Sequence, residues 1–320
     1  MRRDEGAVRR DGRDPPHRRR GVRDAAREGR ARVTAAPGIT GVIPVRDRAG
    51  LVARAVDSAL AQTGPAFELI VIDDGSTDAT PAVLAGYGEK IAVLRRAPLG
   101  RSAARNAGIA AARGEWIAFL DSDDAWLPGK LARQLAFHEA HPEIAMSAHG
   151  TLRIHPDGRS EPMPPRHDSA DLRASFLAVA DHFAFVPSAV MVRTEVARSV
   201  GGFDTAFDGT EDLDFALKVA QRHPVAVFPD CLTRYYLHDG QTGRRRLAGG
   251  NAKVLRHHLE RATDAATRDR MRAKLARYLV SSAKRADTRD ERRRLLREAA
   301  EIDPGVRFRA AWIRQRLAWS

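Results

Sequence analysis

The 320-residue sequence contains one cysteine and no apolar run close to the ~18 residues that span a bilayer. The lone Cys231 excludes an internal disulfide and suits a reducing cytoplasm. It lies just past a strand pattern and reads as a packed thiol rather than a nucleophile. The N-terminus offers charge and proline but no apolar h-region, so no secretory signal is expected. A glycine-rich phosphate loop is also missing. Pro44–Gly50, which follows the first strand pattern, holds a single glycine, and that argues against a nucleotidyltransferase built on such a loop.

Charge is plentiful but unevenly placed. The net charge is +13 and the pI about 10.7. Residues 1–32 carry twelve Arg against six acids, and residues 244–320 carry 22 Lys/Arg against nine acids. The stretch between them, 33–243, has 20 basic and 26 acidic residues and is slightly negative. A nucleic-acid reader is expected to carry its positive charge on the folded recognition surface, not in its flanks. No nucleic acid partner is expected here; basic flanks suit an anionic membrane surface better.

Residues 1–36 have few large apolar residues and no usable period, and are expected to be disordered. From Ile39 short apolar runs alternate with helical patterns. Strands are expected at Ile39–Ile43, Phe67–Ile72, Ile91–Leu94 and Trp116–Leu120. Helices are expected at 47–62, after Asp78, at 101–112 and from Pro128 to about 140. This alternation implies an α/β fold with a mostly parallel central sheet flanked by helices, whose ligands bind at the carboxyl ends of the strands. Residues 150–187 look proline-rich and irregular, with a helix near 169–180. Ser188–Arg193 reads as a strand, 211–222 as a helix and Val225–Phe228 as a strand. Beyond Gly249–Gly250 the chain turns helical, and 271–304 reads as a helix pair forming an appendage. Three segments result: a basic N-terminal segment 1–36, a domain 37–243, and a basic helical extension 244–320.

Acids gather where strands end. Asp73-Asp74-Gly75-Ser76-Thr77-Asp78 follows the second strand, where a carboxylate can accept hydrogen bonds from a nucleobase or ribose; the same string is ordinary turn chemistry. Asp121-Ser122-Asp123-Asp124 follows the Trp116–Leu120 strand. Three carboxylates so close repel one another unless a cation compensates, and hard oxygen ligands suit Mg2+ or Mn2+. A solvated helix-capping turn would look similar. Thr210-Glu211-Asp212 opens a helix, where an acid can serve as a general base or simply complement the helix dipole. His238 and Gln241 follow Tyr235-Tyr236 in a loop; His238 reads as a metal or phosphate ligand or as an idle surface histidine.

Taken in order, these pieces resemble the family 2 glycosyltransferases of GT-A (Rossmann-like) fold, from about Ile39 to about Thr242. The landmarks are VIPVRDR (42–48), ALAQT (59–63), VIDDGSTD (71–78), GRSAARNAG (100–108), GEWIAFLDSDDAWLPGKLARQ (114–134), GGFD (201–204), TEDLDFALKVA (210–220) and YYLHDGQTG (235–243). The resemblance implies roles. Pro44 and Asp74 line the nucleobase and ribose pocket, with Arg46 at its mouth. Asp121 contacts the ribose or diphosphate, and Asp123 is the principal ligand of a Mg2+ or Mn2+ ion, with His238 helping to hold the metal-diphosphate. Asp212 is the catalytic base with Glu211 beside it, while Arg105 and Asn106 brace the sheet edge. Two departures stand out: Pro44-Val45-Arg46-Asp47 replaces a proline, any residue, tyrosine, asparagine pattern, and Gly243 stands where the last motif usually has serine.

The implied reaction is an inverting transfer from a nucleotide diphosphate sugar to a hydroxyl of a glycan or lipid-linked acceptor, in polysaccharide or glycoconjugate synthesis. A non-catalytic relative that binds a nucleotide sugar or glycan is the rival reading; the joint presence of Asp121, Asp123 and Asp212 speaks against it. At the C-terminus, Phe308, Trp312 and Trp319 share a helical face ringed by Arg307, Arg309, Arg314 and Arg316. That face suits either docking on the core or peripheral contact with an anionic membrane. A cytoplasmic protein, peripheral on the inner face of the membrane, is the expected setting.

Overall fold

The computed structural model describes residues 38–165, 186–238 and 244–306, all within one compact unit, 36–320. The expectations for 1–36, for a helix near 169–180, and for Gln241, Gly243 and the aromatic face at 308–319 fall outside the described residues.

Four parallel strands come first: β1 (Ile39–Val45), β2 (Phe67–Asp73), β3 (Ala92–Arg95) and β4 (Trp116–Phe119), ordered β3-β2-β1-β4. Every residue of β1 and β4 is buried. Their continuous apolar runs are the signature of strands covered on both faces. Helix α1 (Val52–Leu60) buries Val52, Ala55, Val56 and Ala59, a stripe at helical spacing, against one face. Helix α2 (Thr80–Ala85) lies beside it. Helix α3 (Arg101–Ala111) packs on the other face so closely that a Cβ at Gly108 would collide with Val42 Cγ1.

Beyond β4 the sheet becomes mixed, a refinement of the mostly parallel expectation. Strand β5 (Ala125–Trp126) and helix α4 (Lys130–Ala140) follow the acidic string. Then come β6 (Met146–Ile154), β7 (Ser160–Met163), β8 (Met191–Arg193) and α5 (Thr194–Ser199). Helix α6 (Glu211–Arg222) and strand β9 (Val225–Tyr236) complete the sheet layer. β8 runs antiparallel to both β4 and β6, β9 runs parallel to β6, and β5 closes the row antiparallel to β9. The expected strand at Ser188–Arg193 is a 3-10 turn over Pro187–Ala189 followed by the three residues of β8. β7 and the end of β6 from Gly150 occupy ground expected to be irregular, and β9 runs eight residues past its expected end at Phe228.

Three helices finish the described chain: α7 (Arg244–Leu259), α8 (Ala265–Ala283) and α9 (Arg289–Ile302). They are not an appendage. Val254, Leu255, Met271, Leu275, Leu279 and Leu295 share one buried cluster with Phe203, Phe215 and Val219.

Candidate active site

The site begins where β1 and β4 part. Leu120 N–H donates to Val42 O at 3.0 Å. In a parallel ladder alternate residues face the same neighbour, so the next donor toward β4 would be Pro44, which has no N–H. The two strands therefore separate at their carboxyl ends, as a ligand cleft requires.

Loops after β1 and β2 are zipped together above that opening. Asp47 takes φ +49°, a left-handed backbone that Asp and Asn tolerate better than other side chains. It stands where the resembled motif has asparagine. Its carboxylate accepts Thr77 N–H at 2.7 Å and Asp78 N–H at 3.3 Å, and the bond from Thr77 holds its pKa below the usual range. Asp78 accepts N–H bonds from Thr80 and Ala49, tying the start of α2 to the first loop. Asp74 is buried, and both its oxygens accept backbone bonds, from Leu99 N–H at 3.0 Å and Gly100 N–H at 2.8 Å. Gly75 is needed beside it: φ is +77° and a Cβ would lie 2.7 Å from Pro98 Cδ. Pro44 is buried in β1, and Arg46 is exposed at the rim, paired to Asp47 at 3.6 Å.

After β4, Asp121, Asp123 and Asp124 present carboxylate oxygens within 4.8 Å of one another. Asp124 is fully buried. Burial, then the charges of Asp123 and Asp121, raise its pKa well above the usual value. The organiser of this string is Ser188, which the sequence did not single out. Its hydroxyl donates to Asp124 Oδ2 at 2.6 Å and accepts Asp121 N–H at 3.0 Å. Its carbonyl accepts from Trp126 Nε1 and Thr233 Oγ1. From α1, Arg54 donates to Asp123 O at 2.6 Å and lies 3.5 Å over the Tyr236 ring. That contact brings the end of β9 to the acidic string, and His238 Nε2 meets Asp123 Oδ2 at 2.9 Å. Asp123 and His238, assigned together from sequence, are neighbours.

Glu211 and Asp212 begin α6. Glu211 is buried, accepting Gly209 N–H at 2.6 Å and Arg105 Nη1 at 2.8 Å. The same guanidinium donates through Nη2 to Asp121 Oδ1 at 2.6 Å. Arg105 thus spans two acids of the site instead of bracing the sheet edge. Asn106 does brace: it exchanges two hydrogen bonds with the Phe203 backbone, below the loop that leads to α6. Asp212 accepts only the N–H of Leu213 among described partners and is half-buried. Burial first, and Glu211 second, push its pKa up to about 7.

The structure therefore unites Asp121, Asp123, His238, Glu211 and Asp212 in one continuous group, with Asp124, Ser188 and Arg105 added to it. Pro44, Arg46 and Asp74 line the adjoining ends of β1 and β2. Of these additions, Asp124 was in the acidic string and Arg105 in GRSAARNAG, whereas Ser188 had no sequence signal. The donor set fits a hard divalent cation. Three carboxylates cluster within 4.8 Å, and Asp121 and Asp123 keep surface to reach a ligand.

Comparison with known proteins agrees. The model for "Glycosyl transferase family 2" matches residues 40–194. The succinoglycan biosynthesis protein ExoO of Rhizobium meliloti is 39% identical over 163 residues, which is 50% of this chain and 44% of that one. An uncharacterized glycosyltransferase of Rickettsia typhi is 27% identical over 220 residues, 65% of this chain and 67% of that one. This chain thus spans less than half the length of the ExoO relative. Among solved structures, the mannosyltransferase PcManGT from Pyrobaculum calidifontis, in complex with GDP-Man and Mn2+, superposes with a TM-score of 0.61 at 20% identity. The match covers 89% of this chain and 80% of that one. S. aureus TarS 1-349 in complex with UDP gives 0.61 at 18% identity, covering 83% and 81%. The shared fold is GT-A.

Proposed function

Residues 40–194 make this chain a member of glycosyl transferase family 2, and from that premise we propose an inverting, metal-dependent transfer of a sugar from a nucleotide diphosphate sugar to an acceptor hydroxyl. The observation that carries the reading is the connected chain of charged groups from Asp123 through Asp121 and Arg105 to Glu211 and Asp212. On this reading it joins a cation-binding end to a proton-accepting end.

In this reading Asp123 and His238 hold Mg2+ or Mn2+, and Asp121 reaches the ribose or diphosphate. Pro44, Asp74 and Arg46 receive the nucleoside. When bound, the cation supplies Lewis-acid neutralisation of the charge that collects on the departing diphosphate. Asp212 takes the proton of the acceptor hydroxyl as that oxygen attacks the anomeric carbon from the side opposite the leaving group; one displacement inverts the centre. Glu211 is the poorer base because Arg105 and Gly209 already occupy its oxygens. Asp212 has the open carboxylate, and its pKa near 7 suits proton transfer at neutral pH. Relatives add support: ExoO belongs to succinoglycan biosynthesis, and the structural neighbours bind UDP and GDP-Man with Mn2+. The acceptor in this reading is a glycan or a lipid-linked glycan, met at the cytoplasmic face of a membrane and approached through residues 306–320. Among the described residues no helix is long and apolar enough to cross a membrane.

The test is a panel of nucleotide sugars screened for Mn2+-dependent donor hydrolysis by the full chain. At least one donor should be turned over, and Asp212→Asn should slow that turnover by roughly 10²-fold or more while leaving nucleotide binding nearly intact. Nucleotide binding without hydrolysis of any donor would favour the non-catalytic relative.

A further inference from the structure

Arg105 is 3% exposed, yet both of its terminal nitrogens are committed to site acids on different elements. Nη2 bonds Asp121, at the end of β4, and Nη1 bonds Glu211, at the start of α6. Each acid is fixed a second time, Asp121 by the Ser188 hydroxyl on its N–H and Glu211 by Gly209 N–H. A guanidinium this enclosed reaches no substrate. It is a rigid fork between the donor side and the acceptor side of the cleft, a geometry that the point charge of a lysine cannot reproduce.

On the transferase reading above, we propose that Arg105 is a positioning residue. It yokes Asp121 to the Glu211–Asp212 pair, and it competes with the divalent cation for the charge of Asp121. The two roles have opposite signatures. Without Arg105, Asp121 and Glu211 repel each other and the acid pair drifts from the donor, so turnover falls. Asp121 also loses its resident counter-charge, so a cation at the acidic string binds more tightly. A residue that merely supports the fold would lower both.

The experiment uses the full chain with Arg105→Met and Arg105→Lys, checked for folding by far-UV circular dichroism and thermal melts. Calorimetry with Mn2+ alone should show Arg105→Met binding roughly 3- to 10-fold tighter than wild type, with Arg105→Lys between them. Mn2+-dependent donor hydrolysis should lose about 10²-fold in kcat for Arg105→Met and about tenfold for Arg105→Lys. Guanidinium added to Arg105→Ala should restore part of the loss. Unchanged or weaker Mn2+ binding by a folded Arg105→Met protein overturns the proposal, as does kcat within about threefold of wild type. If Arg105→Met does not fold, Arg105→Lys is judged by the same signs. If wild type neither binds Mn2+ nor hydrolyses any donor, the transferase reading fails on its own. The yoke is then decided by urea midpoints of Asp121→Asn and Glu211→Gln. Their coupling should change between the wild-type and Arg105→Met backgrounds, because a shared counter-charge is replaced by bare repulsion; the same coupling in both refutes it.

Discussion

Varying pH between 5 and 9 perturbs Asp212 directly. Its carboxyl moves from an ordinary 3.8 to about 7, chiefly because burial strips solvent from the charged form and secondly because Glu211 repels it. The Leu213 N–H and Arg105 pull the other way without cancelling the rise. A base acts only when deprotonated, so the rate should follow the ionised fraction, about 3% at pH 5.5 and nearly complete at pH 8.5. That is a rise of roughly 30-fold across a range where a solvated aspartate would give a flat line. The assay is Mn2+-dependent hydrolysis of a nucleotide sugar at saturating metal, with folding checked at each pH. Glu211→Gln removes the second cause of the rise and turns the whole charge of Arg105 toward the remaining acids. Both changes lower the pKa of Asp212, so the ascending limb should move down by roughly one unit even if the plateau falls. The stability sign runs opposite to activity. The folded state binds this proton more tightly than the unfolded chain, so stability is complete below pH 3.8 and is lost as pH rises through about 7. Asp212→Asn should therefore melt higher than wild type at pH 8, by at most about 4 kcal/mol. A flat rate profile above pH 5, or an Asp212→Asn protein less stable at pH 8, would refute the assignment of Asp212 as a half-buried base.

Other consequences are independent of that residue. Asp123→Ala removes one of the three clustered carboxylates and the partner of His238, so Mn2+-dependent affinity for UDP in calorimetry should drop at least ~10-fold. Unchanged affinity would contradict the ligand assignment. Ser188→Ala leaves Asp124 and the Asp121 N–H without their buried partner and should cost about 1–3 kcal/mol in urea unfolding. Gly108→Ala drives a methyl into Val42 and should cost about 1–3 kcal/mol, whereas Gly249→Ala, exposed in α7 with nothing within 4 Å of its new Cβ, should stabilise by ~0.5–1 kcal/mol. His138 and His149 are buried with pKa values lowered by burial to about 4 and about 3. The unfolded chain takes up their protons first, so each should cost roughly 2 kcal/mol of stability between pH 7 and 4.5. Urea unfolding of His149→Gln should show a shallower acid loss than wild type.

What the sequence disclosed, it disclosed through local pattern. Helix α6 has the bounds read from its apolar spacing, 211–222, and β2 lies where FELIVI placed it, because burial on both faces leaves continuous apolar runs. The acids at strand ends were legible for a similar reason: like charges crowded into a turn are costly unless used. What failed was anything satisfied by a distant partner. β6 was missed because its buried face carries Ser147, His149 and Thr151, and polar groups at core positions erase the hydrophobic signal. Ser147 is tolerated there because α4 supplies Gln134 and His138 to its hydroxyl. The end of β9 was lost to Pro229-Asp230 and to register shifts around Gly150, where the strand pairing slips. Ser188 sits in a short apolar string with no motif of its own; its role exists only once β4, β5 and β9 converge on its carbonyl and hydroxyl. The C-terminal helices read as an appendage because α9 presents mostly Arg and buries only Leu295, Leu296 and Ala299.

Those helices matter to the chemistry because of how α6 is held. Asp212 and Asp214 are two residues apart on one helix, about 200° around its axis, so they face nearly opposite ways. Asp212 faces the site. Asp214, fully buried, receives His258 Nε2 of α7 at 2.9 Å and Lys218 Nζ at 3.0 Å. Burial alone would raise the carboxyl, yet the bond from His258 and the charge of Lys218 more than offset it and hold the pKa below the usual value. His258 is fixed in turn by Gln221, one turn beyond Lys218. Any rotation of α6 large enough to turn Asp212 out of the cleft would have to break this buried carboxylate–imidazole contact and leave Asp214 only Lys218 of its own helix. The rear of the helix is thus clamped by α7 while its front carries the base, and Arg105 pins the residue before the base, Glu211. The orientation of a single carboxylate is set from two sides by parts of the chain separated by over 150 residues in sequence, Arg105 and His258.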